Sequence, residues 1–150
     1  MIRVQREDFD VGKEIEALTR GKTGIGGVAS FIGVMRDVAG DSSVTAMTLE
    51  HYPGMTEREL ARIEQEAQTR WPLLASLVIH RYGRMEPGDR IVLVVTASAH
   101  RQAAFAACEF LMDYLKTQAP FWKQEETPDG PRWVDADHRD DEAASRWKTD

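Results

Sequence analysis

Two lysines lie on either side of Pro120 in the stretch FLMDYLKTQAPFWKQE, which covers residues 110–125. Proline lacks a backbone N–H and disfavours the helical conformation of the preceding residue, so a helix that carries Lys116 must end there. Lys123 then belongs to a second element. Two ammonium groups that converge beside aromatic side chains would form an anion site capable of proton transfer. The alternative is that Lys116 complements the negative end of a helix and Lys123 is a solvated surface charge.

Cationic side chains also follow two predicted strands. In the sequence from Ser98 to Arg101, a serine N-cap followed by His100 and Arg101 would present backbone N–H groups and positive charge to a phosphate. Arg36 stands at the end of another strand beside a polar loop, a common position for ligand-binding residues. Each has a simpler interpretation: an ordinary helix cap with an exposed arginine in the first case, and a surface arginine in the second.

The strands that must position these residues are predicted from apolar periodicity and β-branched content. Leu73 to Arg81 and Ile91 to Thr96 are nearly continuous apolar runs, which is typical of central strands. Further strands are predicted at Ile2 to Arg6, on the edge of a sheet, and at Gly27 to Met35 and Val44 to Tyr52, which are expected to pair as a hairpin. Arg132 to Val134 are expected to pair back on Phe121 to Lys123.

Two long helices are predicted between these strands. One runs from Thr56 to about Trp71, and Thr56 with Glu59 has the form of a capping box. The other links His100 to Lys116, which are 16 residues apart in the sequence, or roughly 24 Å along one helix. A small ligand cannot contact both ends of such a helix. If both cationic clusters serve one site, either the helix is broken or a symmetric dimer supplies the second cluster.

Size and charge limit the class of protein. A chain of 150 residues with 42% hydrophobic residues is expected to fold as one domain, residues 1–150, around a single core. Residues 136–150 form a charged tail that is either a docked helix or partly disordered. The net charge of −6 argues against a general nucleic-acid binder. The sequence contains no long apolar segment, so a soluble, cytoplasmic protein without a membrane span is expected.

Cysteine and histidine usage predicts no metal. A single cysteine, Cys108, allows neither an internal disulfide nor a cysteine-based metal site, and its position in a helical pattern favours a small buried filler over a nucleophile. The four histidines lack the spacing of a metal motif. Gly21 to Gly27, GKTGIGG, imitates the end of a phosphate-binding loop. Glu16 occupies the position of the required first glycine, so we interpret the segment as a flexible turn.

Several words of the sequence, in this order, resemble the family of large, catalytic subunits of molybdopterin synthase. They are LEHYPGMT at 49–56, IHR at 79–81 with PGD at 87–89, SAHR at 98–101 and MDYLKTQAPFWK at 112–123. The resemblance covers nearly the whole chain and is weakest in the first 25 residues and the charged tail. It implies an α+β domain of the α/β-hammerhead type with an additional antiparallel β subdomain.

The resemblance also implies a reaction and partners. Family members transfer two sulfurs to cyclic pyranopterin monophosphate, which makes the dithiolene of molybdopterin. Sulfur arrives as a thiocarboxylate on the C-terminal glycine of a small ubiquitin-like carrier subunit, so no cofactor is expected. A homodimer stands at the centre of a heterotetramer with two carriers. The single cysteine agrees with this scheme, because a synthase supplied by a partner needs no sulfur-bearing cysteine of its own.

Family site residues match positions in this sequence. The essential pocket lysines correspond to Lys116 and Lys123, and we expect Lys116 to orient the carrier carbonyl and stabilise negative charge while Lys123 transfers protons. Arg36, His100 and Arg101 are expected to hold the phosphate. The remaining expected substrate-binding residues are Phe31 and Met112, which would line the pterin slot, and Gln124 and Glu125. Gln124 receives no chemical role.

Two other functions use the same features. A phosphoesterase or phosphosugar enzyme would need the cationic pocket, although the sequence offers no obvious nucleophile or metal site for it. A non-catalytic module would use the apolar surface of Phe110 to Trp122 to dock a ubiquitin-like tail. The lysine pair distinguishes the second function from a synthase, because docking does not need two converging lysines.

Overall fold

The computed structural model describes residues 1–39, 42–135 and 137–149. This part of the chain forms a mixed α+β fold, as predicted. The elements are β1 (Ile2–Gln5), α1 (Val11–Thr19), β2 (Gly27–Val34), β3 (Val38–Ala39), β4 (Ser42–Ser43), β5 (Ala46–His51), α2 (Met55–Arg70), β6 (Leu73–Arg81), β7 (Gly83–Met85), β8 (Arg90–Ser98), α3 (Arg101–Gln118), β9 (Phe121–Thr127), β10 (Gly130–Trp133) and α4 (His138–Ser145).

The larger sheet has the strand order β1-β6-β8-β2. β1 is an edge strand parallel to β6, and the other neighbours are antiparallel. The apolar runs of β6 and β8 occupy the centre, as predicted, because both of their faces are covered. Helices α2 and α3 cover one face, where Phe110 and Leu111 are fully buried, and α1 covers the other. Cys108 is buried on the face covered by α2 and α3, as predicted, and burial raises the pKa of its thiol to about 11.

The smaller sheet has the order β10-β9-β5-β7 and is antiparallel throughout. The predicted hairpin is confirmed: β9 and β10 pair with Glu125 opposite Arg132, and the backbone N–H of Val134 donates to the carbonyl of Lys123 at 3.0 Å. Both ends of β5 are therefore fixed beside β9, with His51 opposite Phe121. The smaller sheet thus carries Lys123 as part of a paired strand.

The predicted hairpin between Gly27–Met35 and Val44–Tyr52 is wrong. β2 pairs with β8 in the larger sheet, and β5 pairs with β7 and β9 in the smaller one. The loop between them carries its own short ladder, β3 with β4. Alternating apolar residues identify a strand but not its neighbour, and the preference for pairing strands adjacent in sequence is a tendency.

The predicted capping box at Thr56 and Glu59 is also displaced. Helix α2 begins at Met55, and the carboxylate of Glu57 accepts a hydrogen bond from the backbone N–H of Gly54 at 2.6 Å. The Thr56 side chain is fully buried, and its hydroxyl donates to the carbonyl of Tyr52 at 2.8 Å. Gly54 has a φ of 86°, which favours glycine and places the start of the helix earlier than the threonine suggested.

The charged tail contains helix α4, which packs on α3. Arg146 donates to Glu109 at 2.6 Å and to Asp113 at 2.8 Å, and the Trp147 indole N–H donates to Asp113 at 2.6 Å. The Trp147 ring makes edge contacts with Phe110 and with a second tryptophan, at centroid distances of 5.7 and 5.5 Å. These contacts fix the position of α4. In the described part of the chain, no helix combines the length and apolar character that crossing a membrane requires.

Replacing Trp147 should weaken this attachment. Trp147→Ala removes the two edge contacts and leaves Asp113 with one partner fewer, so we expect a loss of about 2 kcal/mol in the free energy of unfolding, below the roughly 3–5 kcal/mol of a fully buried tryptophan. Urea unfolding measures the change. The control is Lys148→Ala, an exposed neighbour, which should change the value by less than about 0.5 kcal/mol. Equal unfolding curves for the two variants would contradict the packing.

Candidate active site

Close backbone contact places the beginning of α3 beside the beginning of β2. A Cβ atom at Gly26 would lie 2.1 Å from the carbonyl oxygen of Ala99, and one at Gly27 would lie 3.4 Å from the Cα of Arg101. The first distance excludes any side chain at Gly26 without a shift of the backbone. Gly26 and Gly27 therefore allow the chain to pass close to the start of α3. They belong to the segment from Gly21 to Gly27, which was predicted to be a flexible turn.

The N-cap of α3 is His100, and the predicted N-cap Ser98 is wrong. Ser98 is the last residue of β8, and its hydroxyl donates to the carbonyl of Pro72 at 2.9 Å. His100 has an extended backbone conformation and makes no side-chain capping bond. Its side chain and that of Arg101 are both exposed and line an open depression with Gln102. The predicted pairing of a histidine and an arginine at a helix start is confirmed.

Helix α3 continues without a break for 18 residues, or roughly 27 Å. Its last turn carries Lys116, which is exposed, and the chain leaves the helical conformation at Ala119, before Pro120. The cluster of His100 and Arg101 and the cluster around Lys116 therefore lie at opposite ends of one rigid helix. Of the two alternatives raised by the spacing, a broken helix is excluded.

Strand β9 begins directly after the proline and turns Lys123 towards the protein. Side chains alternate along a strand, so Phe121, Lys123 and Glu125 share one face of the smaller sheet. Leu49 lies opposite Lys123 in the ladder. Glu125 is buried, and its carboxylate lies 3.7 Å from the guanidinium of Arg132. Lys123 is near enough to Lys116, at the end of α3, for the two positive charges to interact.

Lys123 has a lowered pKa. Burial is the main cause, and the positive charge of Lys116 lowers the pKa further, as does that of Arg36 to a smaller extent. The carboxylates of Glu125 and Asp140 act in the opposite direction. The neutral amine of Lys123 is therefore more accessible near neutral pH than that of an ordinary lysine, which suits a group that accepts and returns protons.

The other predicted site residues lie at different distances from this pair. Arg36 follows β2, is exposed, and is close enough for its charge to act on Lys123. Phe31 lies on β2 and is 43% exposed. Met112 lies on α3 one turn before Lys116 and packs partly against the main core. Gln124 is on the opposite face of β9 from Lys123, where it lines an open depression with Thr45 and Glu126 among others.

Two residues near the lysines were not predicted as site residues. His80 on β6 stacks on Phe121 with a centroid distance of 3.8 Å and an interplanar angle of 17°. Burial lowers the pKa of His80 to about 4, the charges of Lys116 and His51 act in the same direction, and the hydrogen bond to a backbone carbonyl opposes them. Asp140 reaches Lys123 from α4. His80 belongs to a word of the family resemblance, whereas nothing in the tail sequence singled out Asp140.

The fold and this site define a class of protein: an α+β chain that joins two lysines, one with a lowered pKa, at the junction of a helix and a strand. The family model described as "MoaE protein" matches residues 4–118. A molybdopterin synthase catalytic subunit of Ralstonia nicotianae is 60% identical over 146 residues, which covers 97% of this chain and 83% of that protein. The chain belongs to the MoaE family of molybdopterin synthase catalytic subunits, and the resemblance stated from the sequence is confirmed.

Solved structures agree with this assignment. The molybdopterin biosynthesis MoaE protein from Burkholderia ambifaria superposes with a TM-score of 0.85 at 53% identity, over 100% of this chain and 99% of that one. A protein-protein complex of subunits 1 and 2 of molybdopterin-converting factor from Helicobacter pylori superposes with a TM-score of 0.73, over 89% of each chain. At 16% identity, the second match supports the fold alone.

The lowered pKa of His80 should make stability depend on pH. In the unfolded chain the imidazole takes up a proton near pH 6.5, but in the folded protein it does so near pH 4. The unfolded state therefore binds more protons between these values, and the free energy of unfolding must fall as the pH drops through this interval. His80→Phe keeps a ring and cannot titrate. It should therefore remove the contribution of His80 to this fall in the free energy of unfolding, which is on the order of 2 kcal/mol.

Urea unfolding of the wild type and of His80→Phe over about pH 4.5 to 7 measures this difference. We expect the two stabilities to converge, or to cross in favour of the variant, as the pH falls. His138→Phe, at an exposed histidine of α4, is the matched control and should follow the wild type. Parallel curves for His80→Phe and the wild type would show that His80 is not held neutral by the fold.

Proposed function

We propose that this chain is the catalytic subunit of a molybdopterin synthase and acts as a sulfurtransferase. It would transfer two sulfurs from the C-terminal thiocarboxylate of a small ubiquitin-like carrier to cyclic pyranopterin monophosphate, which forms the dithiolene of molybdopterin. The observation that carries the proposal is the pair of Lys116 and Lys123 at the end of α3, where Lys123 has a lowered pKa. Membership of the MoaE family supports this function.

The two lysines have different surroundings and therefore different proposed roles. Lys116 is exposed in the last turn of α3, where an incoming peptide tail can reach it. We assign it to the carrier carbonyl, whose developing negative charge an ammonium group stabilises. Lys123 is half-buried with a lowered pKa, and we assign it to proton transfer as the pterin side chain rearranges.

The proposed partner is the carrier subunit. The Helicobacter pylori structure is a complex of two subunits, and we extend that arrangement to this chain as a heterotetramer of two carriers on a central homodimer. The C-terminal Gly-Gly of the carrier would enter beside Lys116, because glycines allow an extended tail to pass close to other groups. No cofactor is required, since the carrier supplies the sulfur. A cytoplasmic location and the α/β-hammerhead type of fold belong to the same proposal.

The proposed homodimer uses β2. This strand is the outer member of the larger sheet, and within the described residues it pairs with β8 on one side. Its four large apolar side chains are 38–48% exposed, and they are Val28, Phe31, Ile32 and Val34. An outer strand with exposed apolar side chains is suited to pairing with another chain. A second copy has a matching strand and would cover these side chains reciprocally.

This pairing would join the two cationic clusters. When two β2 strands pair antiparallel about a two-fold axis, the beginning of each lies beside the end of the other. Gly27 at the beginning adjoins Arg101, and Arg36 follows the end of the same strand. The axis would therefore bring His100 and Arg101 of the second copy to Arg36, and these three would hold the phosphate.

The remaining predicted substrate contacts fit this arrangement unequally. Phe31 on β2 and Met112 on α3 would line the pterin slot, because both keep some apolar surface exposed. Glu125 would limit the positive charge around Lys123. Gln124, on the other face of β9, would contact a pterin that extends around the strand edge.

Reconstitution tests the function. Purified chain, cyclic pyranopterin monophosphate and a thiocarboxylated carrier should yield molybdopterin, which is detected by its fluorescent oxidation product. Lys116→Ala and Lys123→Ala should each reduce turnover by at least about 100-fold, as expected for loss of charge stabilisation or proton transfer. Lys13→Ala, on the far side of the larger sheet, should leave turnover unchanged.

Carrier binding by gel filtration separates catalysis from docking. Binding that survives in an inactive lysine variant supports the assigned roles. Full turnover in both lysine variants would refute them. A wild-type chain that binds the carrier and forms no product would leave a docking module as the function.

Complementation tests the shared site. Two variants, Lys123→Ala and Arg101→Ala, are co-expressed with different affinity tags and purified as a heterodimer. Each homodimeric variant should be inactive, whereas the heterodimer contains one site with both residues intact and should retain about half of the wild-type turnover. An inactive heterodimer would contradict the two-fold arrangement. It would mean either that Lys123 and Arg101 of the same copy form one site or that the two residues share no site.

A further inference from the structure

Phe121 lies between the two lysines in the sequence and contacts rings from two other strands. It lies directly after Pro120 and two residues before Lys123. The His80 ring stacks on it, with centroids 3.8 Å apart and planes 17° from parallel. The His51 ring, which is opposite Phe121 in the β5–β9 ladder, lies 6.0 Å away at 39°. We call the three rings of His80, Phe121 and His51 the aromatic clamp.

Hydrogen bonds fix the tautomers of both histidines. His80 Nδ1 lies 2.8 Å from the backbone carbonyl of Arg81, which has no proton to give, so Nδ1 carries the hydrogen. Thr56 donates its hydroxyl proton to a backbone carbonyl at 2.8 Å, so it must accept from His51 Nδ1 at 3.1 Å. These bonds restrict the rotation of both rings. The clamp is therefore set by residues outside the lysine site and does not depend on substrate.

His80 ties the two sheets together at the site. It lies on β6, a central strand that pairs on both sides, with Val4 and Val92 as its ladder neighbours. Phe121 is the first residue of β9 in the smaller sheet. The ring stack therefore joins β6, which is paired on both edges, to the first residue of β9, shortly after the end of α3. A stack at that point limits the direction in which β9 leaves α3.

An uncharged ring is suited to this position. The charge of Lys116 acts on His80, and a protonated imidazole would add a third positive group beside the two lysines. Burial keeps the imidazole neutral at physiological pH, since it lowers the pKa of His80 to about 4. The flat neutral ring packs against Phe121 without repelling the ammonium groups.

We propose that His80 is a positioning residue for the lysine pair: by stacking on Phe121 it fixes the start of β9 against β6 and so sets Lys123 beside Lys116. Its effect on turnover rests on the proposed synthase function. Its effect on the environment of Lys123 does not, and can be measured on the free chain. The contribution comes from the shape and neutrality of the ring, so phenylalanine should replace it and alanine should not.

Three variants separate positioning from stability. His80→Ala removes the stack, and His80→Phe restores a flat neutral ring. Leu77→Ala, on the same strand β6, is the control, because Leu77 is buried in the core on the opposite face of the sheet. This control weakens β6 without touching the aromatic clamp. All measurements are made on the assembled complex or the full chain, at a temperature where circular dichroism shows each variant to be folded.

The first measurement is the Lys123 side-chain pKa, followed by NMR titration of the isotopically labelled lysine. The groups that set it are Lys116 on α3, Glu125 on β9, Asp140 on α4 and Arg36 after β2. Loss of the stack would let water reach the ammonium and let β9 move away from Lys116, and both changes raise the pKa of Lys123. We expect an upward shift in His80→Ala and no shift in His80→Phe or Leu77→Ala.

The second measurement is steady-state turnover with the carrier and cyclic pyranopterin monophosphate. We expect kcat of His80→Ala to fall roughly 10- to 100-fold, the penalty of a reacting group displaced by about an ångström. Its KM should stay within about threefold, because the phosphate is held by other residues. His80→Phe should recover most of the lost kcat, and Leu77→Ala should keep it.

Two results would overturn the inference. The first is wild-type kcat and wild-type Lys123 pKa in His80→Ala, which would make the stack irrelevant. The second is a His80→Phe variant as impaired as His80→Ala, which would assign the effect to a ring nitrogen. A wild-type chain without synthase activity would refute the proposed function alone, because the NMR titration still tests the position of Lys123.

Discussion

The site depends on one constraint, the end of α3 at Pro120. A helix that continued would carry Lys123 two turns beyond Lys116 and out into solvent. Because proline cannot continue the helix, the chain turns and enters the smaller sheet as β9. The second lysine therefore returns to the end of the helix that carries the first. Everything proposed for the chemistry of this protein follows from that change of direction.

Bringing two ammonium groups together costs free energy, and the fold limits that cost without removing it. Burial, Lys116 and Arg36 lower the pKa of Lys123. Glu125 from the same strand and Asp140 from α4 raise it, but the pKa remains below its ordinary value. The charged tail thus contributes to the electrostatics of the site, because α4 is held on α3 by Trp147. His80 stays neutral beside the same charges. The arrangement makes one amine easier to deprotonate than that of an ordinary lysine, at the end of a rigid helix.

The length of α3 separates the two cationic clusters of the chain. His100 and Arg101 begin the helix and Lys116 ends it, and a substrate of a few ångströms cannot bridge them within one copy. β2 runs beside α3 in the same direction, since Gly27 adjoins Arg101 and Arg36 acts on Lys123. A two-fold axis across β2 would exchange the ends. The rigid helix keeps the two clusters apart within one copy, and pairing of the exposed strand β2 with a second copy would bring them together.

Local features were predictable from the sequence because they depend on neighbours along the chain. The central strands β6 and β8 and the end of α3 at Pro120 follow from apolar runs and proline geometry, whereas the structure was needed to show that α3 is unbroken. The short segments that resemble molybdopterin synthase catalytic subunits also identified the family from the sequence. Tertiary structure alone decided that β2 pairs with β8, that Ser98 bonds Pro72 rather than capping α3, and that His80 and Asp140 reach the lysines. Strand partners and the charges around a buried group come from segments distant in sequence, and periodicity along the chain carries no information about which of them meet.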